Sequence, residues 1–175
     1  MTTLVLTVAG ADRTGLVEAV ARVVADHGGN WERSELAELA GTFAGVVLVT
    51  VPDAREADLR AALAGLEGLL EVTARGGVER ASAGREEREI ALTVLGNDRP
   101  GIVREVSATL ANLGLSVERM TAQTRDAAMA GGRLFEATIV ARASAEADLA
   151  GLRERLERLA SEIQVDIVVG TPAAR

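Results

Sequence analysis

Along the first residues of the chain, apolar side chains alternate, with Leu4, Leu6 and Val8 on one side and Val5 and Thr7 between them. A period of two reads as a strand. Both sides of this segment are largely apolar, which predicts a strand interior to its sheet. A polar turn, GADRTG, follows, and the period then changes. Leu16, Val17, Val20, Val23 and Val24 recur at helical spacing, and Gly28 is placed to stop that helix. Two strands are predicted over 30–38 and 42–51, then a second helix carrying Leu59, Leu63 and Leu66, then a closing strand near 69–75. The series then begins again. Ile90, Leu92 and Val94 form a strand, GNDRPG a turn, and Ile102, Val103, Val106, Leu110 and Leu113 a helix ended by Gly114. Strands over 116–125 and 134–142 follow, then a helix with Leu149, Leu152, Leu156 and Leu159, then a strand near 163–169.

The recurrence is a true internal repeat. Displaced by 86 positions, thirteen residues from Leu6 to Arg33 fall on identical residues from Leu92 to Arg119 without a gap. Phe43 corresponds to Phe135, so the second copy carries six additional residues before it. A repeat of this length is one small domain. Each copy reads β-α-β-β-α-β, the split βαβ or ferredoxin-like order, with both helices on one face of an antiparallel sheet. The expected organisation is an α+β chain with a first domain over 1–80, a polar linker over 81–89, a second domain over 90–170 and a tail over 171–175.

Composition narrows the function classes. All 19 basic residues are arginine and the formal net charge is −7. The arginines are interspersed with more numerous carboxylates, so neither half has the basic footprint of nucleic-acid binding. Cysteine is absent, which excludes thiolate nucleophiles, thiolate metal sites and disulfides. The chain begins directly with a strand and contains no long apolar run, so a cytoplasmic protein without membrane attachment is expected.

The turn between the first strand and the first helix carries the candidate chemistry. Asp12 and Asp98 precede the helix starts, where a carboxylate can accept N–H bonds from the first turn. Pro100 suits the first helical position. On this reading the loop is simply a capped helix start. The alternative is a carboxylate-binding site, in which the amides of Gly15 and Leu16, or of Gly101 and Ile102, face a ligand at the positive end of the helix dipole. Asp12 or Asp98 would then pair with an amino group, and the ligand would be a zwitterion. The spacing allows both.

D-R-[TP]-G-[LI]-V after an apolar strand, in both copies, with Gly28-Gly29-Asn30 opening the next strand, resembles the ACT domain. The segment TAQTRDAAMAGGRLFEA, residues 121–137, resembles the extended hairpin of the glycine cleavage system transcriptional repressor family, which is two ACT domains in tandem. The resemblance implies a non-catalytic regulator without cofactor or metal. It implies a protein that senses an amino acid, glycine foremost, and acts on a protein partner such as a transcription factor, as a homodimer. It further implies that the ligand lies between ACT domains, held by the loop before the first helix and by a polar residue opening the second strand. The matching positions are Asp12, Gly15, Leu16 and Asn30, and, in the second copy, Asn97, Asp98, Gly101, Ile102 and Ser116. Thr14 stands in place of the usual proline and Ser116 in place of the usual asparagine, so the copies are not equivalent. Rival readings are a regulatory subunit of an amino-acid biosynthetic enzyme and an assembly module without ligand. An RNA-binding fold of this topology requires sheet aromatics and basic charge, and the chain has neither.

Other conspicuous residues have plainer readings. His27, the sole histidine, fits a partner for a helix C-terminus. Trp31, the sole tryptophan, fits edge packing or an interface anchor. The hairpin around Met129 fits either a long turn or an interaction surface. Glu154 and Arg158 fit a solvated, ion-paired helix face.

Overall fold

A computed structural model describes residues 1–77, 87–127, 132–144 and 146–170. The chain divides into two units, Met1–Ala81 and Ser82–Arg175. In the first, the order is β1 (Thr2–Ala11), α1 (Leu16–Asp26), β2 (Asn30–Leu39), β3 (Thr42–Val51), a short 3-10 turn, α2 (Glu56–Ala64) and β4 (Glu71–Gly76). The second runs β5 (Glu87–Asn97), α3 (Ile102–Asn112), β6 (Ser116–Asp126), β7 (Arg133–Ser144), α4 (Leu149–Ile163) and β8 (Val165–Gly170). β5 therefore takes in Glu87, Arg88 and Glu89, the last residues of the expected linker; the remainder of the linker, the tail and Met129 lie outside the described residues.

Each unit is one four-stranded antiparallel sheet, ordered β2-β3-β1-β4 and β6-β7-β5-β8. β1 and β5 are interior, as their two apolar faces predict. Alternate residues Leu4, Leu6 and Val8 are buried with Val47, Val49 and Val51 beneath α1 and α2. Ile90, Leu92 and Val94 do the same with Ala137, Ile139 and Ala141 beneath α3 and α4. Trp31 faces this first core from edge strand β2.

Several local expectations are corrected. Val17 and Val103 are not core residues; each is 44% exposed. Successive helical residues are rotated by about 100°, and burial follows Leu16, Val20 and Val24, which puts Val17 to one side. Leu66 lies beyond α2, in a turn where Gly68 has φ +88°. Ile163 ends α4 instead of opening β8, and Gln164 at φ 56° reverses the chain. Gly28 and Gly114 do stop their helices. In both, the amide two residues past the cap returns to a carbonyl five residues earlier, Gly29 to Val24 and Leu115 to Leu110. His27 Nδ1 lies 2.8 Å from the Val23 carbonyl, a bond at the helix C-terminus as anticipated. Glu154 and Arg158 pair at 3.0 Å on the exposed face of α4.

Gly96 is constrained by contact. A Cβ there would stand 2.6 Å from Val165 Cγ1 and 2.9 Å from Val165 Cα. Gly96→Ala is expected to destabilise the second unit by about 1–3 kcal/mol through overpacking. Denaturant unfolding of Gly96→Ala beside Gly76→Ala, whose Cβ would meet open space, checks this; equal losses would show that contact is not the cause.

Candidate functional site

The loop between β1 and α1 is pinned at two points and uncapped at a third. The Asp12 N–H donates to the Gly41 carbonyl in the β2–β3 turn at 2.8 Å, and the Asp98 N–H to the Arg133 carbonyl at 2.8 Å. The next residue ties the loop to the far side of the domain. Arg13 donates to the carbonyls of Gly68 and Leu69, at 2.7 and 3.0 Å. Arg99 reaches the Ile163 carbonyl at 3.5 Å and bonds Glu105 at 2.6 Å. These carbonyls stand where the second helix gives way to the last strand, and that of Ile163 belongs to the last turn of α4, the negative end of that helix.

The glycine that follows starts the helix. Gly15 has φ +92° and Gly101 φ +98°, a left-handed conformation that an L residue adopts only at a cost. Neither helix start receives a side-chain cap. The expected capping by Asp12 and Asp98 does not occur, because the left-handed glycine takes the N-cap place and leaves each aspartate three residues outside. Pro100 is likewise outside, one residue before the N-cap. The helical ladders begin with Ala19 to Gly15 and Glu105 to Gly101. The amides of the first turn therefore precede the ladder in both helices. Asp12 and Asp98 are exposed, and their carboxylates have no partner among the described residues. Leu16 and Ile102 bury their side chains in the core, which leaves only their amides for a ligand.

In the second unit, Asp98, Gly101 and Ile102 line one open depression together with Val103, Arg104, Thr124 and Phe135. Sequence reasoning missed the last four. For Val103 the available signal was its identity with Val17 at a position one step off the core stripe. Asn97 lines a different depression, with Leu134, Gln164 and Asp166. Asn30 and Ser116 are not near the loops of their own units. Asn30 is level with Thr50 and Thr3, whereas the loop follows Ala11. Eight residues of strand separate the two levels, about 26 Å. The second unit repeats this, with Ser116 level with Arg142 and Glu89.

Residues 2–75 and residues 90–161 each match the ACT domain family. The chain belongs to that family. Its two ACT domains are similar in fold to an unknown protein from Galdieria sulphuraria, at 29% identity over 98% of this chain and 99% of the other, with a TM-score of 0.86. They are also similar to a protein described as a glycine cleavage system transcriptional repressor, at 20% identity over 99% and 98%, with a TM-score of 0.73. No curated protein matches. Among the described residues of the ACT domains, no helix is long and apolar enough to cross a membrane, and no group of three or more His, Asp or Glu side chains is placed to hold a metal ion.

The Arg99 guanidinium holds the Glu105 carboxyl below its ordinary value. A lowered folded-state pKa contributes stability above the ordinary carboxylate range and loses it as pH falls through the lowered value. Glu105→Gln is thus expected to lower stability at neutral pH, where the ionised carboxylate contributes, and to flatten the acid limb of the stability profile. Asp12→Ala and Asp98→Ala should alter stability by less than about 0.5 kcal/mol, as substitutions of unpartnered surface groups. Arg13→Ala should cost about 1 kcal/mol. Equilibrium unfolding of the four variants checks these values.

Proposed function

We propose that the protein is a non-catalytic amino-acid sensor that modulates a protein partner. The observation that carries this reading is the duplicated helix start, in which an uncapped first turn adjoins an unpaired aspartate. The amides of such a turn suit a carboxylate, and the aspartate suits an ammonium group. Together they suit the two ends of a free amino acid.

Within one domain, the loop and the residue opening the second strand are too far apart to touch one small molecule. In this reading the ligand is held by the loop of one ACT domain and by Asn30 or Ser116 at the strand opening of another, as the family resemblance implies. Glycine is the first candidate ligand, in keeping with the described role of the structural relative, and transcriptional control of glycine cleavage is the corresponding process. Action follows by population shift: the ligand stabilises the arrangement in which it is held, and the partner binds the two arrangements unequally. A coupling of about 1–3 kcal/mol gives a several-fold to hundred-fold change in partner affinity. With net charge −7, the target is a protein such as a transcription factor rather than nucleic acid directly. A cytoplasmic homodimer is the proposed working form.

The test is thermal denaturation against each of the twenty amino acids, with Asp12→Ala and Asp98→Ala beside the parent. A saturable rise in melting temperature for glycine or another amino acid, diminished in at least one variant, is expected. Cooperative melting with no response to any of the twenty would sink the sensor reading and favour an assembly module.

A further inference from the structure

The two strand openings that share the repeat differ in chemistry. In each, a bulge interrupts the pairing of the first edge strand, between Trp31 and Arg33 in β2 and between Val117 and Arg119 in β6. The residue at the bulge is glutamate in both, Glu32 and Glu118. Its cross-strand neighbourhood is not the same. The residue level with Asn30 on β3 is Thr50, whereas the residue level with Ser116 on β7 is Arg142.

In the first domain, Glu32 Oε1 accepts from the Thr50 hydroxyl at 2.8 Å and from the Asn30 amide nitrogen at 3.0 Å. These bonds hold its carboxyl below the ordinary value, so it stays ionised. No cation pairs with it among the described residues. Because the Asn30 nitrogen donates to Glu32, the Asn30 carbonyl oxygen points elsewhere. Exposed acceptors are left: the second carboxylate oxygen and that carbonyl. An ammonium group has three donors and no acceptor, and it matches this set. The approach of the chain here is also specific to the first domain. Gly29 lies so close to β3 that a Cβ would be 2.9 Å from the Thr50 carbonyl, whereas its counterpart Leu115 puts a side chain into the core.

In the second domain, the Arg142 guanidinium bonds Glu118 through one nitrogen and Glu87 through another, the latter at 2.7 Å. Its side chain is only 16% exposed. Glu118 is therefore already paired with the domain's own cation, which it shares with Glu87.

We propose that Glu32, orienting Asn30, makes an ammonium-accepting corner on the first ACT domain only, and that Arg142 closes the equivalent corner on the second. The inference rests on the amino-acid-binding reading above and deepens it: the ligand must carry a free ammonium group, and each chain offers one competent corner. Thr50 against Arg142 is the pair of residues that decides this, since the glutamate itself is the same in both copies.

Calorimetric titration tests the assignment with the amino acid that most raises the melting temperature, and with its N-acetyl derivative. The parent should bind one ligand per chain and reject the N-acetyl form. Glu32→Gln, which keeps the hydrogen bonds and removes the charge, should weaken binding at least tenfold. Thr50→Arg should do the same by supplying the internal cation. Glu118→Gln should remain within twofold of the parent. Parental affinity in Glu32→Gln, equal losses in Glu118→Gln, or two ligands per chain would each overturn the inference while leaving the sensor reading intact. A parent that binds none of the twenty amino acids would overturn both.

Discussion

Everything at the candidate site depends on a backbone constraint, the left-handed glycine at the start of α1 and of α3. That conformation turns the chain into the helix without using a side-chain cap, so the first-turn amides keep their hydrogen-bonding capacity and the preceding aspartate keeps its carboxylate free. A conventional Asp or Ser at the N-cap would have stabilised the helix by only about a few tenths of a kcal/mol over glycine. The loop stays ordered because its other ends are tied down. The Asp12 amide binds the β2–β3 turn and Arg13 binds the carbonyls after α2. The D-R-x-G motif thus divides its labour. Its second residue anchors the loop, its fourth sets the turn, and the carboxylate of its first is left without a structural task.

The overall architecture was legible because it rests on periodicity. The alternation through Leu4, Leu6 and Val8 and the stripe through Leu16, Val20 and Val24 identify strand and helix by burial alone, and the repeat doubles each observation. The failures came where side chains do not follow the local pattern. Val17 and Val103 read as core because they are apolar and adjacent to core residues. One helical step of about 100° carries them off the buried stripe, and apolarity alone does not show this. Asp12 and Asp98 read as caps because aspartate before a helix ordinarily is one, and only the positive φ of Gly15 and Gly101 removes them from that place. Arg13 and Arg99 bind carbonyls more than fifty residues away, and no spacing rule connects them. Ile163 and Leu66 were misplaced because the turn residues that end α2 and α4 differ, a glycine in one copy and Gln164 in the other.

Identity between the repeats is likewise an unreliable guide to equivalence. Glu32 and Glu118 occupy the same bulge, yet the environment of each is set by a residue that does not repeat. The difference lies at one end of a sheet, where Thr50 and Arg142 are half-buried beside the buried Val49 and Ala141.

The strand order has a consequence for how the chain is made. β1 is an interior strand, and it is synthesised before both its neighbours, β3 and β4. Until Gly76 has left the ribosome, one edge of β1 has no partner, and Leu4, Leu6 and Val8 lack part of their cover. β5 repeats the predicament, since β8 is complete only at Gly170. Each ACT domain must therefore finish its translation before its central strand is satisfied, and emergence at about 5–20 residues per second leaves that strand exposed for several seconds. The first domain closes within its own residues, so its four strands can all pair before those of the second have been synthesised.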